Sequence, residues 1–297
     1  MLLVDKEAGE SSFGCVRKVR RILGVRKAGH AGTLDPFATG LLVVLLGQGT
    51  KLSPFLMTGR KRYRATLRLG SETDTLDLTG KVVRERPVGS LHPEEIREKA
   101  GAFLGVLDQV PPSFSAVKHE GRRAYDLARR GIRVELKERK ITIYQLDVLS
   151  VDLPDVTLDV ECSGGTYVRS LAADLGEALG TGAHLRALRR LASGSFSLEQ
   201  AVSVGDPARD GADTELRKRV IPLKEALPDL REQDLDEETS RGVRNGYQPK
   251  LRELAATVGP GEGPVRLVRG PELVALAEVV EDPEGPEKRL RLLRVFH

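Results

Sequence analysis

The chain has 297 residues, 40% of them hydrophobic, enough to bury sizeable cores and, at roughly 150 residues per domain, to form about two domains. Its longest apolar run, Leu41 to Leu46, is too short to cross a bilayer, and Met1 to Glu7 contains no apolar stretch of signal-peptide length, so a cytoplasmic location with no membrane partner is expected. Lys and Arg number 47 against 43 Asp and Glu, a mildly basic balance that suits a polyanionic partner without requiring one, while Cys15 and Cys162, far apart and outside any CxxC, signal neither a disulfide framework nor a zinc site.

Leu2 to Val4 reads as a short strand, and Ser12 is placed to cap a helix with Phe13, Val16, Val19 and Leu23 on its apolar face. A loop rich in Gly, Ala, Thr and charge runs from Gly24 to Thr39 and feeds a buried strand at Leu41 to Leu46. Tyr63, Ala65, Leu67 and Leu69 alternate with Arg64, Thr66 and Arg68, the period of a strand with one polar face. Pro93 begins a helix that reaches Leu104 and carries Ile96, Ala100, Phe103 and Leu104 on one side, and a second helix is expected to start near Arg122.

Between Val117 and Lys140, the cations Lys118, Arg122, Arg123, Arg129, Arg130, Arg133, Lys137, Arg139 and Lys140 meet only Glu120, Asp126, Glu135 and Glu138, which makes this segment a candidate phosphate-binding surface. Strands follow at Arg139 to Val151 and Val156 to Cys162, then a helix from Thr166 to Leu179 with Val168, Leu171, Leu175 and Leu179 aligned. These elements predict an α+β fold with a mixed or antiparallel sheet and flanking helices. Proline and charge interrupt the pattern between Ile221 and Gln233, dividing the chain into residues 1–228 and 229–297. In the second part, Val265 to Val268 and Leu273 to Val280, separated by Gly and Pro, predict a small β-rich unit.

The sequence contains no GxxxxGK[ST], no dinucleotide fingerprint and no HExxH, so an enzyme built from it is expected to need neither cofactor nor metal. Its densest unusual run is Gly29-His30-Ala31-Gly32-Thr33-Leu34-Asp35-Pro36, followed by Phe37-Ala38-Thr39-Gly40. On pattern alone, Asp35 could be a helix N-cap with Pro36 at the first helical position. That reading leaves unexplained the glycines bracketing His30 and Ala31, which would let backbone approach a ligand beside a carboxylate held extended by the following proline.

This run resembles the signature of the TruB family, bacterial enzymes that make pseudouridine at position 55 in the T loop of tRNA. The likeness continues through Lys61-Arg62-Tyr63-Arg64, Thr73-Asp74-Thr75-x-Asp77-x-x-Gly80, Pro111-Pro112-x-x-Ser115-Ala116-Val117-Lys118 and Gly165-Thr166-Tyr167-Val168-Arg169. It covers Leu2 to about Ser197, and a weaker likeness near the C-terminus is to the PUA domain, a small RNA-binding β-barrel.

The resemblance implies that Asp35 is the essential carboxylate, that Arg169 pairs with it and keeps it ionised, and that Tyr63 stacks on the target uracil and helps remove its C5 proton. It places Tyr167 and Leu188 around an everted base, assigns His30 to RNA contact, and puts Lys6 and Asp77 at matching substrate-binding positions. Without that context, Tyr63 reads as a strand aromatic, Arg169 as a surface ion pair with Asp174, and Tyr167 and Leu188 as core. A thumb loop at about residues 111–135, with Lys118, Arg129, Arg130 and Arg133, would grip the T arm. The C-terminal unit would reach the acceptor stem.

Glu7, Ser11 and Phe114 depart from the family's usual proline, threonine and tyrosine, and none of these departures falls on Asp35, Tyr63 or Arg169 themselves. A guide-RNA-dependent synthase shares the aspartate motif but generally lacks the thumb, so a stand-alone monomer acting on tRNA without an obligatory protein or guide RNA is expected. An RNA-folding chaperone that unpairs the tRNA elbow is a reading from another class, and the two roles can coexist.

Overall fold

A computed structural model describes residues 1–115, 117–119, 122–123, 125, 127, 132, 136–205, 211–254, 263–283 and 288–297. In chain order the strands that build the main sheet are β1 (Leu2–Lys6), β2 (Ala28–His30), β3 (Thr39–Leu46), β4 (Lys61–Leu69), β5 (Gly105–Gln109), β6 (Arg139–Asp152), β7 (Asp155–Cys162), β8 (Ala183–Ser193) and β9 (Phe196–Ser197). They run in the order β1-β3-β8-β4-β7-β6-β5, with β2 beside β3 and β9 beside β8. All pair antiparallel except β3 and β8, whose parallel contact sets Arg190 opposite Gly40. The sheet is therefore mixed, one of the two arrangements, mixed or antiparallel, that the sequence left open.

Parity along the strands explains how the sheet is covered. In β3, Leu42 and Val44 pack on helix α1 (Ser12–Leu23) through Cys15, Val16, Val19 and Leu23, whereas Leu41, Val43 and Leu45 face the opposite way. A strand covered on both faces reads as an unbroken apolar run. Along β4 the burial alternates, and Tyr63, Ala65 and Leu67 join Leu158 and Val160 of β7 under helices α2 (Pro93–Gly101) and α3 (Val168–Ala178).

Three local expectations change. Phe13 is 58% exposed, not part of the apolar face of α1; at about 100° per residue it lies well around the helix from the stripe that contains Cys15, Val16 and Val19. α2 stops at Gly101 and Leu104 is exposed, because Gly105, at φ 97°, turns the chain into an edge strand. Arg122 and Arg123 pair as a short strand with Lys118 and His119, so cross-strand pairing replaces the helix start expected there; helical residues are described at Tyr125 and Leu127. Arg129, Arg130 and Arg133 lie outside the described residues.

After Leu227 comes a second sheet of four strands, β10 (Arg231–Asp234), β11 (Val265–Arg269), β12 (Glu272–Glu281) and β13 (Lys288–Val295), in that order, with helix α4 (Glu237–Arg244) packed on β11 and β12. This is the small β-rich unit anticipated from the C-terminal pattern. Its Val268, Leu273, Leu276 and Phe296 share a core with Leu41, Val43 and Leu45 of β3. Among the described residues no helix is long and apolar enough to cross a membrane.

Candidate active site

The segment between β2 and β3 carries Asp35, and its backbone is held from three sides. Ser12 Oγ accepts from the Leu34 amide at 2.8 Å and donates to the Leu34 carbonyl at 2.9 Å, tying the start of α1 to the loop. Lys6 Nζ donates to the carbonyls of Glu7, Glu10 and Pro36 at 2.8, 2.7 and 3.2 Å. Arg190, 1% exposed, donates through Nε to Leu41 O at 2.6 Å and through Nη2 to Gly32 O at 3.1 Å. No helix follows Pro36: the Ala38 amide closes a turn on Asp35 O at 3.1 Å and the chain enters β3, so Asp35 is not an N-cap.

Of the two glycines that bracket His30 and Ala31, only Gly32 adopts a left-handed backbone, at φ 97°, and only Gly32 lines the cleft. A side chain at Gly29 would meet Thr50 at an ordinary 3.7 Å.

Arg169 in the first turn of α3 reaches Asp35 with two nitrogens. Its Nε lies 3.0 Å from Oδ2 and its Nη2 donates to Oδ1 at 3.4 Å. The remaining donors go to Thr75 O at 3.0 Å and Phe114 O at 2.9 Å, with Asp77 Oδ2 at 3.5 Å, so the guanidinium is fixed on every side. Asp77 is itself held, Oδ1 accepting from Thr75 Oγ1, the Thr79 amide and Thr79 Oγ1 at 2.8, 2.9 and 2.6 Å.

Asp35, Tyr63, Tyr167, Arg169 and Leu188 line one cleft of about 680 Å³, a volume in the range of small-ligand sites. Asp35 keeps 31% of its side chain open to this space. Phe114 and Tyr125 add aromatic surface. The cleft brings together the five positions that the motifs nominate for the acid, its partner and the base pocket.

Burial and Arg169 act on the Asp35 carboxyl in opposite directions. Burial pushes the Asp35 carboxyl above its ordinary range, and the Arg169 guanidinium pulls the other way without reversing the shift. The pairing therefore orients the carboxylate and limits its rise, but does not hold it below normal. Burial likewise raises the Tyr63 phenol, despite its hydrogen bond with Arg190, so it is protonated at neutral pH.

Lys6 and Asp77 are not cleft residues. They are 1% and 4% exposed, and their polar atoms serve backbone carbonyls, hydroxyls and Arg169, so their expected RNA contact gives way to a bracing role behind Asp35. His30 is half-buried in β2 and absent from the cleft lining; burial and the nearby Arg190 charge lower its imidazole further, keeping it neutral at neutral pH. Lys118 sits in the short strand Lys118–His119.

Lys61, quoted only within a motif, and Arg190 are cleft residues to which the sequence assigned no role. Lys61 donates to Leu56 O and Gly59 O at 3.2 and 2.6 Å, and burial lowers its ammonium to about 8. Strand parity carries the missing signal: Lys61 is two residues before Tyr63, and Arg190 two after Leu188, so each shares a face with a nominated residue. Among the described residues, no cluster of His, Cys, Asp or Glu is arranged to hold a metal.

The mixed sheet, with the cleft opening on it, is a pseudouridine-synthase fold. The fold superposes on a chain of a Cbf5-Nop10-Gar1 complex with a TM-score of 0.77 and 28% identity, covering 100% of this chain and 84% of that one. It also matches a chain of an H/ACA RNP bound to a substrate RNA containing 2'-deoxyuridine, at a TM-score of 0.75 and 25% identity, covering 100% and 84%.

Residues 20–168 match the TruB family pseudouridylate synthase N-terminal domain, and residues 169–228 match the tRNA pseudouridylate synthase B C-terminal domain. The chain belongs to the TruB family. Its relatives include the tRNA pseudouridine synthase B of Geobacter sulfurreducens, 43% identical with 100% of this chain and 99% of the relative covered. That of Syntrophobacter fumaroxidans is 48% identical with 77% and 75% covered.

Proposed function

We propose that this enzyme converts uridine 55 in the T loop of tRNA to pseudouridine, with the nucleotide everted into the cleft and Asp35 as the essential carboxylate. The observation that carries this reading is the two-nitrogen grip of Arg169 on Asp35, inside a cleft whose other walls are Tyr63, Tyr167 and Leu188. The reaction is an isomerisation. The N1–C1′ bond breaks, the uracil turns, C5 joins C1′, and the C5 proton leaves to solvent while N1 gains one. A carboxylate serves this chemistry by attacking the sugar or the base, or by accepting a sugar proton.

Eversion costs a few kcal/mol, which contacts to the rest of the RNA must offset. Tyr63 supplies a ring for stacking, and because its phenol is raised and so protonated at neutral pH, it can take up the C5 proton only after giving up its own. We assign residues 1–228 to catalysis and 229–297, as a PUA-like unit, to the acceptor stem. The thumb at about 111–135 grips the T arm. No guide RNA or protein partner is required, and the monomer acts alone.

The test is single-turnover assay of the pure protein on a tRNA transcript and on an isolated T-arm hairpin. Wild type should form pseudouridine at the T-loop position in both; Asp35→Asn should bind either RNA normally and form none. Product from the variant at the wild-type rate would remove Asp35 from the chemistry. Inactivity of the wild type without guide RNA would reassign the enzyme's mode of substrate selection.

A further inference from the structure

From Ser11 to Leu34 the chain holds no acidic residue, while Arg17, Lys18, Arg20, Arg21, Arg26 and Lys27 all fall in that span. Lys18 pairs with Glu10 at 3.1 Å. The other five are exposed, and among the described residues none of them is in an ion pair. Burial of Cys15, Val16, Val19 and Leu23 turns the opposite side of α1 outward, and there Phe13, Arg17, Arg20 and Arg21 follow one another at helical neighbour spacing. Phe13 is 58% exposed, with the Arg17 guanidinium 5.6 Å from its ring centroid.

The start of the helix that carries the stripe is tied to the Asp35 loop. Ser12, the residue before Phe13, is the one whose hydroxyl clamps Leu34 next to Asp35. From there α1 runs 12 residues, about 18 Å, long enough to lie along several phosphates. Arg20 and Arg21, in the last turn, also complement the helix dipole. Arg17, Arg26 and Lys27 lie outside that turn, so helix capping does not account for them. A row of unneutralised like charges repels itself unless a polyanion covers it.

We propose that this stripe is a second RNA-contact surface: Arg17, Arg20 and Arg21 hold phosphates of the strand flanking the everted uridine, and Phe13 lies against a base or ribose of that strand. The inference rests on reading the cleft as a uridine site, since the clamp at Leu34 is what puts RNA within reach. An exposed aromatic beside arginines is the pairing that single-stranded RNA stacks on.

The test uses the full chain, a T-arm hairpin and a triple variant, Arg17→Gln, Arg20→Gln and Arg21→Gln, with Arg97→Gln plus Lys99→Gln on α2 as an equally exposed control. Kd is measured from 50 to 200 mM salt, and the single-turnover rate at saturating RNA. Loss of three phosphate contacts should weaken binding at least about tenfold at 0.1 M salt and make the slope of log Kd against log salt shallower by about 2 to 3. The saturated rate and the control should match wild type. Phe13→Ala should weaken binding with the slope unchanged.

Wild-type affinity and slope in the triple variant would overturn the proposal. So would weaker binding at an unchanged slope, which would indicate lost packing in place of lost phosphate contacts. If wild type forms no pseudouridine but the slope still falls in the variant, the proposed reaction fails and the stripe stands.

Discussion

Two opposing effects meet at Asp35. Its recess disfavours the charged form, Arg169 favours it, and burial is the larger of the two. A single-turnover rate that needs the carboxylate should therefore fall away on the acid side at a pH above that of an ordinary aspartate. Replacing Arg169 by Met removes the opposing pull, so the carboxyl protonates at still higher pH and the acid limb should move upward. Asp77→Asn removes a nearby like charge and should move it downward. Rate against pH at saturating RNA checks both signs; an acid limb that stays fixed in the Arg169 variant would mean that a different group titrates. The resemblance made this pair legible: Asp35 sits in a run unusual in itself, whereas Arg169 without that likeness reads as a surface ion pair. The direction of the Asp35 shift was not legible, since burial depends on how Thr33, Tyr63 and α3 close around the acid, and that is a property of the packed chain.

At the scale of elements, the site depends on how closely β3 and β8 approach. Gly40, at φ 98°, lies where an added Cβ would sit 2.3 Å from Arg190 O. Gly40→Ala combines a left-handed backbone with a collision against main chain that cannot rotate away, so it should destabilise by roughly 3 kcal/mol or more. Because Arg190 also holds Gly32 O and Leu41 O, the same change should lower the saturated rate. Gly9→Ala is the comparison: φ is 83° but nothing lies within 4 Å, and the cost should be only about 1 kcal/mol. Chemical denaturation of both variants checks the difference, and equal losses would show that the approach at Gly40 is softer than its geometry. Periodicity reveals β3 and β4 readily, as at Leu41 to Leu46 and Tyr63 to Leu69. It does not reveal that β3 meets β8 in parallel, because parallel pairing joins residues far apart in the chain and leaves no local pattern. For the same reason Arg190, which couples the two strands to the Asp35 loop, escaped notice in an ordinary-looking Leu-Arg-Arg-Leu.

For the molecule as a whole, the question is whether the C-terminal sheet hangs from a hinge or is part of one body. Proline and charge between Ile221 and Gln233 suggest a boundary, yet Ala226 and Leu227 are buried and the Ile221 amide donates to Met1 O at 2.7 Å. Lys51 Nζ donates to Val295 O at 2.6 Å and lies 5.6 Å from the Phe296 ring centroid, pinning the last strand to the segment after β3. Leu276 of β12, fully buried, packs in the core that also contains Leu41 and Val43. Leu276→Ala should therefore cost about 2 to 5 kcal/mol. At about 2 °C or a little more per kcal/mol for a chain of this size, the melting temperature should fall by roughly 5 to 15 °C. Through the shared core, the loss should appear as one transition, with far-UV ellipticity and pseudouridine-forming activity failing together on heating. Two transitions, the upper at the wild-type temperature with activity retained through the lower, would show that the sheets unfold independently. In that case the C-terminal sheet would move separately from the cleft, whereas a single body fixes the distance between that sheet and Asp35.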